Sequence, residues 1–393
     1  MHDYSGKTYG RNEDVAILYK MFNAGHDVSM PGPRRLGKTF LLDRLVDAAP
    51  DQSWTAVKVE VAGCSDTRSF FRELCSKIGN QRSGGDRALG WLRQHFAQLL
   101  DPRPDHSGPW YQPLLSLDYE TYFERLIKAL SDDREGRWVL LIDELPIFLK
   151  AMHDKGDQGV DAARNFMTLS SRLRADYPRV RWMITGSIGL EPLAQAGTYM
   201  GVLSKFRVYD LQPLDHRQAA DFVKDLATTG RLMFRDTITD VEAESLVNAV
   251  GWRAAYYLDA LAQKLTGRPC TDPGQAESLV EEAMGQLLQP TESATFGVWE
   301  EHLRKHYRDA ERTLAFAVLA TLAPAAEGCS IDTLLATAGR SNLSKPALRA
   351  LLQRLNVEGF ITVADWESDD PTVVFRNPLL RRWWQRYQPQ PTA

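Results

Sequence analysis

The sequence predicts an α/β chain built on a mostly parallel sheet, followed by a helical segment and a small module of helices and a β-hairpin. Three observations predict it. Up to about residue 210, five short apolar runs (Asp27–Met30, Trp54–Val61, Trp138–Ile142, Val180–Thr185 and Phe206–Leu211) alternate with helical patterns, the order expected of βαβ units. From about Asp215 to Leu288 the periodicity is helical throughout, as in Arg217–Ala227 and Val241–Leu265. From about Gly297 helices lead into two β runs, Phe360–Val363 and Thr372–Phe375, and an aromatic, basic end.

Composition bounds the function classes. The 393 residues are 44% hydrophobic and 25% charged, which disfavours disorder, collagen and coiled coil. At about 150 residues per domain the length suggests two or three domains. The formal net charge is -4, so no global positive field points to nucleic acid, and any DNA contact would be a local patch. Cys64, Cys75, Cys270 and Cys329 lie far apart with no C-x-x-C pair, which argues against a zinc site or a disulfide framework. Residues 1–15 lack an apolar core of the signal-peptide kind, and no run of 18 apolar residues offers a membrane span. The expectation is a reduced, cytoplasmic protein without a membrane role.

The first run is followed by Gly32-Pro33-Arg34-Arg35-Leu36-Gly37-Lys38-Thr39, a full match to G-x-x-x-x-G-K-[ST]. Glycines let such a loop curl so that its N–H groups point inward around phosphates. Lys38 adds charge between the β- and γ-phosphates, and Thr39 offers a hydroxyl to Mg²⁺. The helix that follows, from Lys38 through Phe40 and Leu41 to about Asp47, directs its positive end at the same anion. The apolar run before the loop and the helix after it supply the strand–loop–helix context that the chemistry requires. Arg34 and Arg35 have two roles open: packing on the outer side of the loop, or contact with a phosphate or a neighbouring subunit.

Trp138–Ile142 is apolar throughout and ends in Asp143-Glu144. An unbroken apolar run suits a strand buried on both faces, and ligands bind at the carboxyl ends of such strands. Asp143 is expected to hold Mg²⁺ through water, and Glu144 to orient and deprotonate the attacking water. This makes ATP hydrolysis, rather than nucleotide storage, the first expectation.

The run from Val180 ends in Thr185-Gly186-Ser187. Either hydroxyl can serve the γ-phosphate or the attacking water, or cap the next helix. Arg253, in Gly251-Trp252-Arg253, is either a lid arginine reaching the phosphates or a surface residue. Lys205 and Arg207 flank the last run and are candidates for a charge acting across a subunit interface.

With these residues stated, the chain resembles the archaeal-type ATPase family, within the signal-transduction (STAND) branch of AAA+-like P-loop ATPases and related to origin-recognition initiators. The resemblance rests on Tyr9-Gly10-Arg11-Asn12-Glu13, the phosphate loop with its Arg-Arg, Leu-Ile-Asp-Glu, Thr-Gly-Ser, Leu211-Gln-Pro-Leu214, Gly-Trp…Tyr-Tyr-Leu258 and Phe375-Arg-Asn-Pro-Leu-Leu-Arg-Arg-Trp-Trp384. It implies a P-loop ATPase core with a parallel five-stranded sheet over 1–214, a helical lid over 215–296 and a C-terminal winged helix over 297–393. It also implies that Tyr9 and Arg11 lie near the adenine. Similar proteins carry prolines near Gly-Trp, where this chain has Arg253 and Ala255, so the lid's sensing residue is open. The arginine expected before Leu-Gln-Pro-Leu is Arg207, or is replaced by Lys205.

Residues 81–116, rich in Gly, Pro and Asp, read as an insertion in the core, as surface decoration rather than a binding lid. At the other end, Ser330–Ala338 and Ser344–Val357 read as two helices around a Gly-Arg-Ser-Asn turn, with Lys345, Arg349 and Arg354 on the second. Those cations suit a phosphate backbone. The hairpin tip, Asp365 to Asp370, carries four carboxylates and would be repelled by one. A protein partner or homo-oligomer is therefore favoured over duplex DNA, and Trp383 and Trp384 are expected to anchor the domain. The expected function is a Mg²⁺-dependent ATPase switch using ATP and ADP. The alternatives are a DNA-binding initiator or loader, and a non-hydrolysing, ADP-locked sensor serving a separate effector such as a nuclease.

Overall fold

The computed structural model describes residues 11–79, 119–133, 137–338, 344–368 and 370–391. Tyr9, the segment 81–116 and the turn 339–342 lie outside the described residues. The chain divides into two compact units, the first formed by Arg11–Gly32 and Lys38–Leu211, the second containing Pro33–Gly37 and Gln212–Ala393.

The first unit carries α1 (Arg11–Asn23), β1 (Val28–Pro31), α2 (Lys38–Ala48), β2 (Trp54–Glu60), α3 (Thr67–Gly79), α4 (Tyr119–Asp132), β3 (Arg137–Asp143), α5 (Leu145–His153), α6 (Asp157–Asp176), β4 (Val180–Gly186), α7 (Glu191–Ala196), α8 (Met200–Leu203) and β5 (Arg207–Val208). The five strands form one parallel sheet in the order β2-β3-β4-β1-β5, as the alternating pattern predicts. β3 and β4 are buried nearly throughout, the condition that makes their sequences read as unbroken apolar runs. Phe70, Phe123, Phe148, Phe166 and Trp182 form an aromatic core, with Phe70 and Phe166 centroids 4.8 Å apart in an edge-to-face contact. The run Phe206–Leu211 is corrected: only Arg207 and Val208 pair, with β1 on one side, and Tyr209 turns its hydroxyl to Asp14 of α1.

The second unit continues with α9 (His216–Thr228), α10 (Asp240–Val250), α11 (Ala255–Ala262), α12 (Pro273–Leu287), α13 (Ala294–His306), α14 (Asp309–Leu322), β6 (Cys329–Ser330), α15 (Ile331–Ala338), α16 (Lys345–Glu358), β7 (Ile361–Ala364), β8 (Thr372–Phe375) and α17 (Pro378–Tyr387). The single helical run expected over Val241–Leu265 is two helices. α10 ends at Gly251, whose φ of 66° is left-handed, and a side chain there would meet the Pro378 ring at 2.7 Å. Asp215 and Thr239 form reciprocal capping boxes with Gln218 and Glu242. The expected hairpin gains a third strand, for the small antiparallel sheet runs β6-β8-β7. Trp383 and Trp384 are buried, as anchors of the chain end. The four cysteines are free. No helix among the described residues is long and apolar enough to cross a membrane.

Candidate functional site

The site sits at the carboxyl ends of β1, β3 and β4. β1 leads into the Gly32–Thr39 loop, and the Gly32 N–H donates to the Gly186 carbonyl at the end of β4. Gly37 (φ 100°) and Arg35 (φ 67°) take left-handed conformations, which produce the curl the glycine-containing motif requires. α2 starts at Lys38, so the N–H groups of its first turn lie at the end of the loop. Lys38 is buried and its Nζ donates to the Gly32 carbonyl at 2.6 Å.

Asp143 ends β3 and is 2% exposed. Thr39 Oγ1 donates to its Oδ2 at 2.9 Å, and the Thr185 hydroxyl donates to its Oδ1. Thr185 also accepts the Glu144 N–H at 3.3 Å. Glu144 has φ 61°, a left-handed conformation uncommon for a residue of its kind, and such strain concentrates at functional sites. The bend swings its carboxylate onto Ser187, whose N–H and hydroxyl both donate to Oε2 at 2.9 Å. The two hydroxyls of Thr185-Gly-Ser187 thus bond to the two carboxylates and cap no helix. The donor set fits Mg²⁺: a buried carboxylate and a hydroxyl are hard oxygen ligands that leave positions for phosphates and water, and no cation salt-bridges Asp143 among the described residues. No cluster of three or more His, Cys, Asp or Glu with metal-site geometry occurs among the described residues.

Other expected site residues stand elsewhere. Arg11 is buried, with Nη1 on Asp14 at 3.0 Å. Phe40 is half-buried. Arg207 is exposed on β5. Within the second unit, Arg253 donates Nε to the Leu214 carbonyl at 2.9 Å, and Pro33 and Leu36 are buried. In the same unit, Arg34 Nε donates to His302 Nδ1 at 2.9 Å, and Arg35 lies over the Tyr256 ring at 4.0 Å. His302 Nε2 is in turn 2.8 Å from Glu358. Since Nδ1 accepts from Arg34, the proton lies on Nε2 and is donated to the carboxylate. No local pattern signals this pairing, which joins positions 268 residues apart.

Glu358 also accepts from Tyr307 and from Arg354, which forks onto Glu311. Burial works against its charge, but the His302 hydrogen bond, the Arg354 charge and the Tyr307 hydroxyl prevail and hold its pKa down to about 2. Lys345 is paired with Asp332 at 2.7 Å and Arg349 donates to the Ser368 carbonyl. All three cations of α16 are therefore engaged inside their own unit.

No protein-family model matches the chain, and no curated protein matches it. Solved structures do. A Walker-type ATPase of Pyrococcus abyssi is similar at a TM-score of 0.63 and 17% identity, covering 96% of this chain and 95% of that one. The ORC2 protein of Aeropyrum pernix, solved as ADPNP–ADP complexes, is similar at a TM-score of 0.51 and 13% identity, covering 96% and 93%. Together with the strand order and the loop at the end of β1, these likenesses establish the fold: the chain has the α/β fold of the Walker-type, ORC-like ATPases.

Proposed function

We propose that this chain is a Mg²⁺-dependent ATPase whose nucleotide state switches a protein partner or its own oligomerisation. The carboxylate pair at the end of β3 carries this reading. Asp143 is clamped by two hydroxyls, and Glu144 is turned aside by a left-handed backbone and held through one oxygen by Ser187. Thr39 and Asp143 supply the protein oxygens for Mg²⁺, which when bound neutralises charge on the phosphates. Lys38 and the N–H groups that open α2 bind the β- and γ-phosphates. Glu144 Oε1, free of Ser187, accepts the proton of the attacking water. Thr185 positions Asp143, and Ser187 fixes the rotamer of Glu144.

The second unit is divided in this proposal into a helical lid over 215–296 and a winged-helix module over 297–393. The pairing of Lys345 with Asp332 and of Arg354 with Glu311 and Glu358 supports a protein partner over duplex DNA, because these carboxylates offset the positive charge that a phosphate backbone would need. The test is Mg-ATP turnover by the purified chain, with and without duplex DNA. Lys38→Ala is expected to lose nucleotide affinity. Glu144→Gln is expected to keep it and lose turnover by about 10²–10⁴-fold. Full turnover by Glu144→Gln removes the base assignment. Tightly held ADP without turnover replaces the switch with a locked sensor, and severalfold stimulation by DNA replaces the protein partner with DNA.

A further inference from the structure

A cleft of about 430 Å³ opens in the first unit along α6 from Arg164 to Ala175 and the segment after α7. The charged residues lining it are all positive: Arg164, Arg172 and Lys205. Arg164 and Arg172 have carboxylate partners, Asp161 at 2.7 Å and Glu124 at 2.9 Å, that do not line the cleft. Lys205 is exposed and has no carboxylate partner among the described residues. It gives one ammonium hydrogen to Ser171 Oγ at 2.9 Å, which leaves two. Tyr199 is also part of the lining, buried, with its hydroxyl held by His153.

A buried cation lies next to this lining. Arg174, 5% exposed, is one helical turn beyond Ser171. Its Nη1 meets Asp27 at 3.1 Å, and its plane covers the Phe206 ring at 3.9 Å. Its Nε and Nη2 have no acceptor. Arg174 lines a second cavity of about 10 Å³ that shares Val202 with the cleft. Lys205 keeps two hydrogens and no carboxylate, and Arg164 and Arg172 each use only part of their guanidinium on Asp161 and Glu124, so the cleft presents several cationic donors that suit a multiply charged oxyanion. The volume is that of a small-ligand pocket.

We infer that this cleft binds a small phosphate-bearing ligand at a site separate from the Gly32–Thr39 loop, none of whose residues lines it. The test is calorimetric titration of inorganic pyrophosphate into the full chain carrying Lys38→Ala, which disables the loop, at about 0.15 M salt. One saturable site is expected. Adding Lys205→Ala or Arg172→Ala should weaken it at least tenfold, since each removes a charge-assisted bond from the anion. Both side chains are on the surface, so the melting temperature should hold. If Lys38→Ala does not fold, wild-type protein saturated with Mg-ADP takes its place. Absence of saturable binding overturns the inference, and so does an affinity indifferent to Lys205→Ala.

Discussion

Thr185→Val replaces one side chain by another of nearly the same shape and removes only the hydroxyl. That hydroxyl makes two bonds at a 2% exposed position, donating to Asp143 and accepting the Glu144 N–H. A bond to a charged group contributes about 1.5–3 kcal/mol and a neutral one about 0.5–1.5. The valine should therefore cost the first unit roughly 2–4 kcal/mol, a fall in its melting transition of roughly 5–15 °C for a unit of this size. Thr185→Ser keeps the hydroxyl and gives up one methyl, about 1 kcal/mol. The assay is calorimetric melting of the wild type and both variants, followed by Mg-ATP binding. The valine should melt below the serine, and its Mg²⁺ dependence should shift because Asp143 loses one of its two anchors. Equal losses for the two variants would refute the reasoning, since packing would then account for the effect.

Three further outcomes follow from buried features of the second unit. Glu358 is held at a pKa of about 2, below its ordinary 4.5, so its contribution of about 3 kcal/mol is complete above pH 5 and disappears as pH falls through 2; hydrogen exchange of the α16 amides should show about 2 kcal/mol lost between pH 7 and pH 3, and Glu358→Gln should lack that share. Arg235 and Glu242 pair at 2.6 Å with both side chains 1% exposed, so Arg235→Met should cost about 3–5 kcal/mol, and urea melts should find Arg235→Met with Glu242→Leu less damaged than Arg235→Met alone. Gly251→Ala combines a left-handed φ with a 2.7 Å approach to Pro378 and should cost more than about 1 kcal/mol by the same melts.

Local pattern explains what the sequence revealed. β1 to β4 were legible because strands buried on both faces must be apolar along their length, and the loop and Asp143-Glu144 because phosphate chemistry demands those residue types at those strand ends. The break at Gly251 was marked only by a single glycine inside a helical period. β6 has two residues and no period to detect. Polar pairs between distant positions leave no periodic trace. Arg34–His302, Thr185–Asp143 and Ser187–Glu144 each join elements that meet only in the folded unit. Thr185 and Ser187 stood out as hydroxyls at a strand end, but their partners were not visible.

The strand order has a consequence for how the chain is made. β1 has no sheet partner near it in sequence: Val28 aligns with Met183 of β4 and Arg207 of β5. At about 5–20 residues per second, the ribosome needs roughly 8–30 s after making β1 to supply the residues of β4. Until then β2 and β3 can pair with each other, but β1 and the loop it carries cannot take their place. The nucleotide site thus waits for β4, and premature termination anywhere before β4 leaves a chain with its phosphate loop complete in sequence but without the strand that β1 pairs with.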